Sequence, residues 1–121
     1  MKKEQFGIVI DATREDFLEK LEVDGQRTIV VVHLFEPSLH CCNSMNRILE
    51  ELAADAAYLH VKFIRMEASA NGLEVDRLTL PILQLYRGGA VATTLAGIAH
   101  ELGDSFTKDD IDWLLQSSEL F

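Results

Sequence analysis

An α/β fold with a central mixed β-sheet flanked by helices is predicted from three observations. Short aliphatic and aromatic runs of strand length alternate with segments of helical period. One run, Thr28 to Phe35, is almost continuously apolar, as a strand covered on both faces must be. Further on, Leu80-Pro81 precedes two strand-like runs joined by Gly88-Gly89, the pattern of a hairpin. Crossover helices allow parallel pairing early in the chain and the hairpin forces antiparallel pairing later, so the sheet is mixed.

The elements follow in order. Phe6-Gly7-Ile8-Val9-Ile10 has the composition of a short strand. Thr13 with Asp16 makes a capping-box-like start to a helix from Arg14 to Leu21, with Phe17, Leu18 and Leu21 as its apolar face. Asp24-Gly25-Gln26 reads as a turn, and Thr28 to Phe35 as the central strand. From Cys42 to Ala57, Met45, Ile48, Leu49, Leu52, Ala53 and Ala56 recur at helical spacing, with Glu50, Glu51 and Asp55 opposite. Val61 to Met66 is the next strand, parallel to the central one. Ala68 to Gly72 breaks it, and a short helix is expected around Leu73 to Leu78.

Pro81 stands at a strand entrance, where a sheet tolerates the lost donor, and the hairpin runs to Leu95 with Gly88-Gly89 at its tip. Thr107 with Asp110 forms a second capping box, opening a C-terminal helix whose buried side is expected to hold Ile111, Trp113 and Leu114, with Leu115. The expected order is β, α, β, α, β, α, β, β, α.

Composition narrows the function. A chain of 121 residues is about one domain, large enough to bury roughly two-thirds of its unfolded surface. Its 48% hydrophobic and 26% charged residues are those of an ordinary globular protein. The longest aliphatic run, Ile29 to Val32, is far short of the roughly 20 residues of a membrane span. The opening Met1-Lys2-Lys3-Glu4-Gln5 is not followed by the apolar region of a secretory signal, so a cytoplasmic location is expected. A net charge of −9, with eleven dispersed Lys and Arg, argues against nucleic acid; solubility through like-charge repulsion is the first account of it and attraction to a basic protein partner the second.

The adjacent Cys41 and Cys42 cannot staple distant parts of the fold, and His40-Cys41-Cys42 lacks the second ligand pair of a structural zinc site. No metal or cofactor is expected. Cys42 should pack as a half-buried small hydrophobe at a helix start and Cys41 should be the more exposed and oxidisable thiol. His33 is expected to be a hydrogen-bonded structural histidine. Asp109-Asp110-Asp112 and Glu50-Glu51 read as solvated faces.

Strand, loop, helix with Cys42, strand, Leu-Pro, Gly-Gly hairpin and terminal helix, in that order, resemble the thioredoxin fold over nearly the whole chain. The match is most similar to the phosducin and phosducin-like proteins. It is carried by Val32-His33-Leu34-Phe35-Glu36, Cys42-x-x-Met45-Asn46, Val61-Lys62-Phe63 with Ala68-Ser69, Leu80-Pro81, Tyr86-Arg87-Gly88-Gly89 and Asp112-Trp113-Leu114-Leu115.

The resemblance implies that residues 1–121 form one thioredoxin-like domain, with the helical N-terminal domain of that family absent from this chain. Thioredoxins place a Cys-x-x-Cys pair where this chain has Leu39-x-x-Cys42, so the attacking thiol is replaced by an isobutyl group. Leu39, Cys42 and Pro81 are thus degenerate active-site positions. Pro81 is implied to follow a cis bond at the floor of the peptide groove, and His33 occupies the place of a buried proton-accepting carboxylate.

The implied function is non-catalytic protein binding. The implied partners are the G-protein β subunit or βγ dimer, and the cytosolic chaperonin with its clients. Tyr86, Arg87, Gly88 and Gly89 are the candidate partner-binding residues. The competing expectation is a monothiol oxidoreductase using Cys42 or Cys41.

Overall fold

The computed structural model describes residues 6–24 and 28–121, with side chains omitted for 20–24. Its strands are β1 (Val9–Asp11), β2 (Ile29–Phe35), β3 (Val61–Glu67), β4 (Ile82–Arg87) and β5 (Ala90–Leu95). Its α-helices are α1 (Arg14–Asp24), α2 (His40–Ala54), α3 (Ile98–Leu102) and α4 (Lys108–Ser117). The five strands form one sheet in the order β1-β3-β2-β4-β5. β2 runs parallel to β3 and antiparallel to β4, so the sheet is mixed and β2 lies at its centre.

Every residue of β2 is buried, which explains its uninterrupted apolar composition. Alternation divides its side chains between two cores. Val31 faces α2 and α4 among Met45, Leu49, Leu52, Phe63, Leu83, Leu85, Ile111 and Leu115. Val30, Val32 and Leu34 face α1, where Phe17 covers Ile64, Met66 and Ile82. Phe17 also meets Tyr86 edge-on, with ring centroids 5.1 Å apart.

Several expectations shift. β1 is confined to Val9–Asp11, and Leu18 is 53% exposed, so Phe17 alone is the described anchor of α1. The expected contact of Leu21 and the Gly25-Gln26 turn lie outside the described side chains and residues, while Asp24 ends α1. α2 stops at Ala54 because Asp55 is extended and its carboxylate accepts from the Ala57 N–H, opening a separate 3-10 turn, Ala56–Tyr58.

No helix spans Leu73 to Leu78. Gly72 turns left-handed at φ 68, and Asp76 accepts from the Leu78 N–H to start a 3-10 turn at Arg77–Thr79 instead. The helix between β3 and β4 is thereby replaced by two 3-10 turns and an extended link. α3 was not expected. It starts at Gly97, whose N–H reaches the Thr79 carbonyl at 2.8 Å.

The capping box of α4 forms as expected, with Asp110 N–H to Thr107 Oγ1 at 3.2 Å and Thr107 N–H to Asp110 Oδ2 at 2.9 Å. Ile111 is fully buried, but Leu114 is only half-buried and Trp113 is 67% exposed, which corrects the expected core role of the tryptophan. Of the acidic sets, Glu50, Glu51 and Asp109 are exposed as expected, while Asp110 and Asp112 are partly buried. Asp110 is used in the cap, Asp112 accepts from the Tyr58 hydroxyl, and Glu50 lies 3.8 Å from Arg65.

Candidate functional site

β2 delivers the chain to one end of the sheet, and Glu36-Pro37-Ser38-Leu39 turns it into α2, the Leu39 N–H bonding the Glu36 carbonyl at 3.1 Å. Leu39 is the N-cap of α2, extended at φ −100, ψ 125, and it offers the helix no side-chain acceptor. Its carbonyl still receives the N–H groups of Cys42 and Asn43, at 3.1 and 3.2 Å. The turn is tied down by Asn43 Nδ2 to the Pro37 carbonyl at 3.0 Å and by Arg77 to Ser38 Oγ at 3.1 Å. Glu36 accepts from both the N–H and the hydroxyl of Ser69, at 2.6 and 3.0 Å.

The Leu80–Pro81 bond is cis, as the resemblance implied, and brings the Leu80 carbonyl 3.8 Å from the Cys41 sulfur. Leu39, His40, Cys41, Leu78, Leu80, Ala99 and His100 line a shallow groove of about 510 Å³. Leu39 and Leu80, the residue before Pro81, thus share the groove, while Cys42 packs with them in the core beneath. Leu78, 83% exposed on the rim of that groove, was missed by the sequence reading because a helix was expected there.

The thiols differ sharply. Cys42 is fully enclosed, not half-buried, and packs in the core on the α1 side; burial pushes its thiol up to about 11. At pH 7 roughly one Cys42 in ten thousand would be thiolate, against a few per cent for a free cysteine. Cys41 is only partly buried, as expected. His33 is fully buried on the α2 side of β2, stacked on Phe35, with Nδ1 2.8 Å from Asn46 Oδ1.

Only half of the expected satisfaction of His33 is present. Among the described residues Nε2 has no hydrogen-bond partner, and burial lowers the imidazole pKa to about 3, so the ring stays neutral and makes a poor proton acceptor for a thiol. Among the described residues, no group of three or more His, Cys, Asp or Glu side chains is placed to hold a metal ion.

The hairpin residues lie elsewhere. Gly88 and Gly89 form its tip with φ 62 and 81, values that side-chain-bearing residues adopt only at a cost. Arg87 is exposed beside them, whereas Tyr86 turns back onto Phe17 and donates to Gln84 Oε1 at 3.1 Å. The tip thus presents Arg87 and open backbone, while the Tyr86 ring is engaged in packing.

A family model described as phosducin matches residues 1–121, the full length of the chain. The chain belongs to the phosducin family. Phosducin from Homo sapiens is 32% identical over 115 residues, covering 92% of this chain and 46% of that protein. The phosducin-like protein of Homo sapiens is 30% identical over 118 residues, covering 95% of this chain and 38% of the relative. Phosducin-like protein 1 of Drosophila melanogaster is 32% identical over 94 residues, covering 76% and 33%. This phosducin-family chain therefore spans less than half the length of these relatives.

Among solved structures, spinach chloroplast thioredoxin f superposes with a TM-score of 0.69 at 19% identity, covering 97% of this chain and 91% of that one. A chain of the complex of ferredoxin:thioredoxin reductase with thioredoxin f2 gives 0.72 at 14% identity, covering 95% and 98%. At such identities the likeness establishes the fold, which is that of thioredoxin. No described helix of this phosducin-family chain is long and apolar enough to cross a membrane.

Proposed function

We propose that this chain is a non-catalytic, cytoplasmic thioredoxin-fold domain of a phosducin-like protein. It binds G-protein βγ dimers, serves as a co-chaperone of the cytosolic chaperonin, or does both. One observation carries the loss of catalysis: Leu39 caps α2 with an inert side chain, and the remaining Cys42 is sealed in the core with its thiol pushed up to about 11. Disulfide exchange needs an accessible thiolate to attack and a second thiol to resolve the mixed disulfide. Family membership supports the protein-binding side of the reading.

The test has two arms. Insulin-disulfide reduction by the domain should stay at background, and Cys42→Ser should leave capture of Gβγ and of chaperonin subunits from lysate unchanged. Reduction at a rate comparable to a thioredoxin would instead favour the monothiol oxidoreductase using Cys42 or Cys41, and capture of neither partner would remove the binding assignment.

The hairpin tip is proposed as one contact with Gβγ. Arg87 is exposed, and Gly88 and Gly89 leave the backbone beside it unobstructed. Arginine is a frequent interface anchor, and removing such an anchor costs about 1–2 kcal/mol or more. Arg87→Glu should therefore weaken capture of Gβγ at least about tenfold with the melting temperature unchanged. Undiminished capture by the folded variant would move the interface off the hairpin.

A further inference from the structure

α4 turns one face toward solvent. Ile111 and Leu115 are fully buried, Asp110 closes the cap, and Asp112 and Gln116 both bond the Tyr58 hydroxyl. What remains is Trp113, the single tryptophan of the chain, 67% exposed. One turn earlier on the same side is Asp109, also exposed. The only cation of α4, Lys108, approaches Asp55 on another side of the helix at 3.9 Å. The last turn carries no basic residue, and exposed Glu119 follows it.

An indole therefore lies one turn from an exposed carboxylate, with no cation from α4 beside it. A partner arginine or lysine placed on that ring would gain two attractions together: the ring face and the Asp109 carboxylate. The net charge of −9 would add long-range attraction for such a segment, and would repel phosphate-bearing surfaces such as nucleic acid or anionic lipid. An acidic or neutral segment would forfeit the electrostatic gain. We infer that the Asp109–Trp113 face of α4 docks an arginine- or lysine-bearing segment of a partner protein, with a cation stacked on Trp113. The inference rests on the protein-binding reading above and deepens it by naming the chemistry of one contact.

The probe is a synthetic peptide without aromatic residues that carries four arginines at helical spacing; its counterpart has glutamate in their place. Because Trp113 is the only tryptophan, its emission reports the contact directly. The arginine peptide should shift that emission in a saturable, salt-weakened manner, and the glutamate peptide should not. By calorimetry, Trp113→Ala and Asp109→Lys should each weaken binding at least tenfold without changing the melting temperature. Glu51→Lys, the same charge reversal at an exposed position of α2, should stay within twofold of the parent chain.

Absence of a saturable shift, undiminished binding by Asp109→Lys, or an equal loss in Glu51→Lys would overturn the inference. Capture of Gβγ and chaperonin is read separately. If capture persists while the peptide fails, the surface is refuted and the function stands. If the peptide binds as described but neither partner is captured, the surface stands and the partner assignment falls.

Discussion

Acidification from pH 6.5 towards pH 3 is expected to destabilise the domain by on the order of 4 kcal/mol through His33 alone. The ring is fully enclosed between β2 and α2, with Asn46 on one nitrogen and, among the described residues, no partner on the other. Burial is the main reason its pKa falls from 6.5 to about 3; the Asn46 contact opposes the shift, and the Arg65 charge on neighbouring β3 adds to it. The folded-state value is thus depressed. Between pH 6.5 and 3 the unfolded chain binds a proton that the native chain refuses, so this contribution is complete above pH 6.5 and is lost as the pH falls.

The slope approaches about 1.4 kcal/mol per pH unit. Asp11, whose carboxyl is held below its ordinary 3.8 chiefly by the Arg65 hydrogen bonds, acts in a lower window, so the range from pH 6 down to about 4 isolates the histidine. Urea unfolding across that range should show the slope in the parent chain. A His33→Leu, Asn46→Leu double variant should lose it, because replacing both partners of a buried polar pair by apolar groups can be nearly neutral. A flat profile in the parent chain, or an equal slope in the double variant, would refute the assignment.

The same residue shows where sequence reading succeeds and stops. The aliphatic run around His33 makes a central strand plain, and the acceptor in Asn46 is within what a satisfied histidine leads one to expect. That Nε2 would be orphaned depends on what surrounds it in three dimensions, which no local pattern records. Gly88-Gly89, the Thr107–Asp110 box and Leu80-Pro81 were legible because each is a local device with its chemistry in adjacent residues.

Leu73 to Leu78 misled because its apolar content resembles a short helix, while left-handed Gly72 and the side chain of Asp76 drive the chain into a different turn. Trp113 is instructive in another way. The helical stripe that starts at Ile111 continues to Leu114 and Leu115, and position 113 lies about 200° round from Ile111. Hydrophobicity outweighed angle in that expectation, and the angle was right. At the candidate site Leu39, Cys42 and Pro81 were singled out by the resemblance, but the groove wall from Leu78 to His100 was not foreseen, because it is assembled by an unexpected turn and by α3.

Leu39→Cys is expected to convert the domain into a trap for disulfides rather than a reductase. The substitution places a thiol at the N-cap of α2, where no side chain now satisfies the free N–H groups and the positive end of the helix favours thiolate. Attack on a substrate disulfide should then be fast. Release requires Cys42 to act as the second thiolate, and a thiol pushed up from 9.0 to about 11 supplies roughly a hundredfold less of it at pH 7. The neutral His33, already held by Asn46, is a poor base for drawing off that proton. The variant should therefore react with a chromogenic aromatic disulfide at least about tenfold faster than the parent chain and accumulate as a mixed disulfide visible by mass. Its insulin-reduction rate should remain below about one hundredth of a thioredoxin's, as the slow second step dictates. Raising the pH from 7 to 9 should speed release by roughly two orders of magnitude, since thiolate at Cys42 grows tenfold per unit below its pKa. Rapid turnover at pH 7, or release that ignores pH, would show that Cys42 is more accessible and more acidic than its place in the core implies.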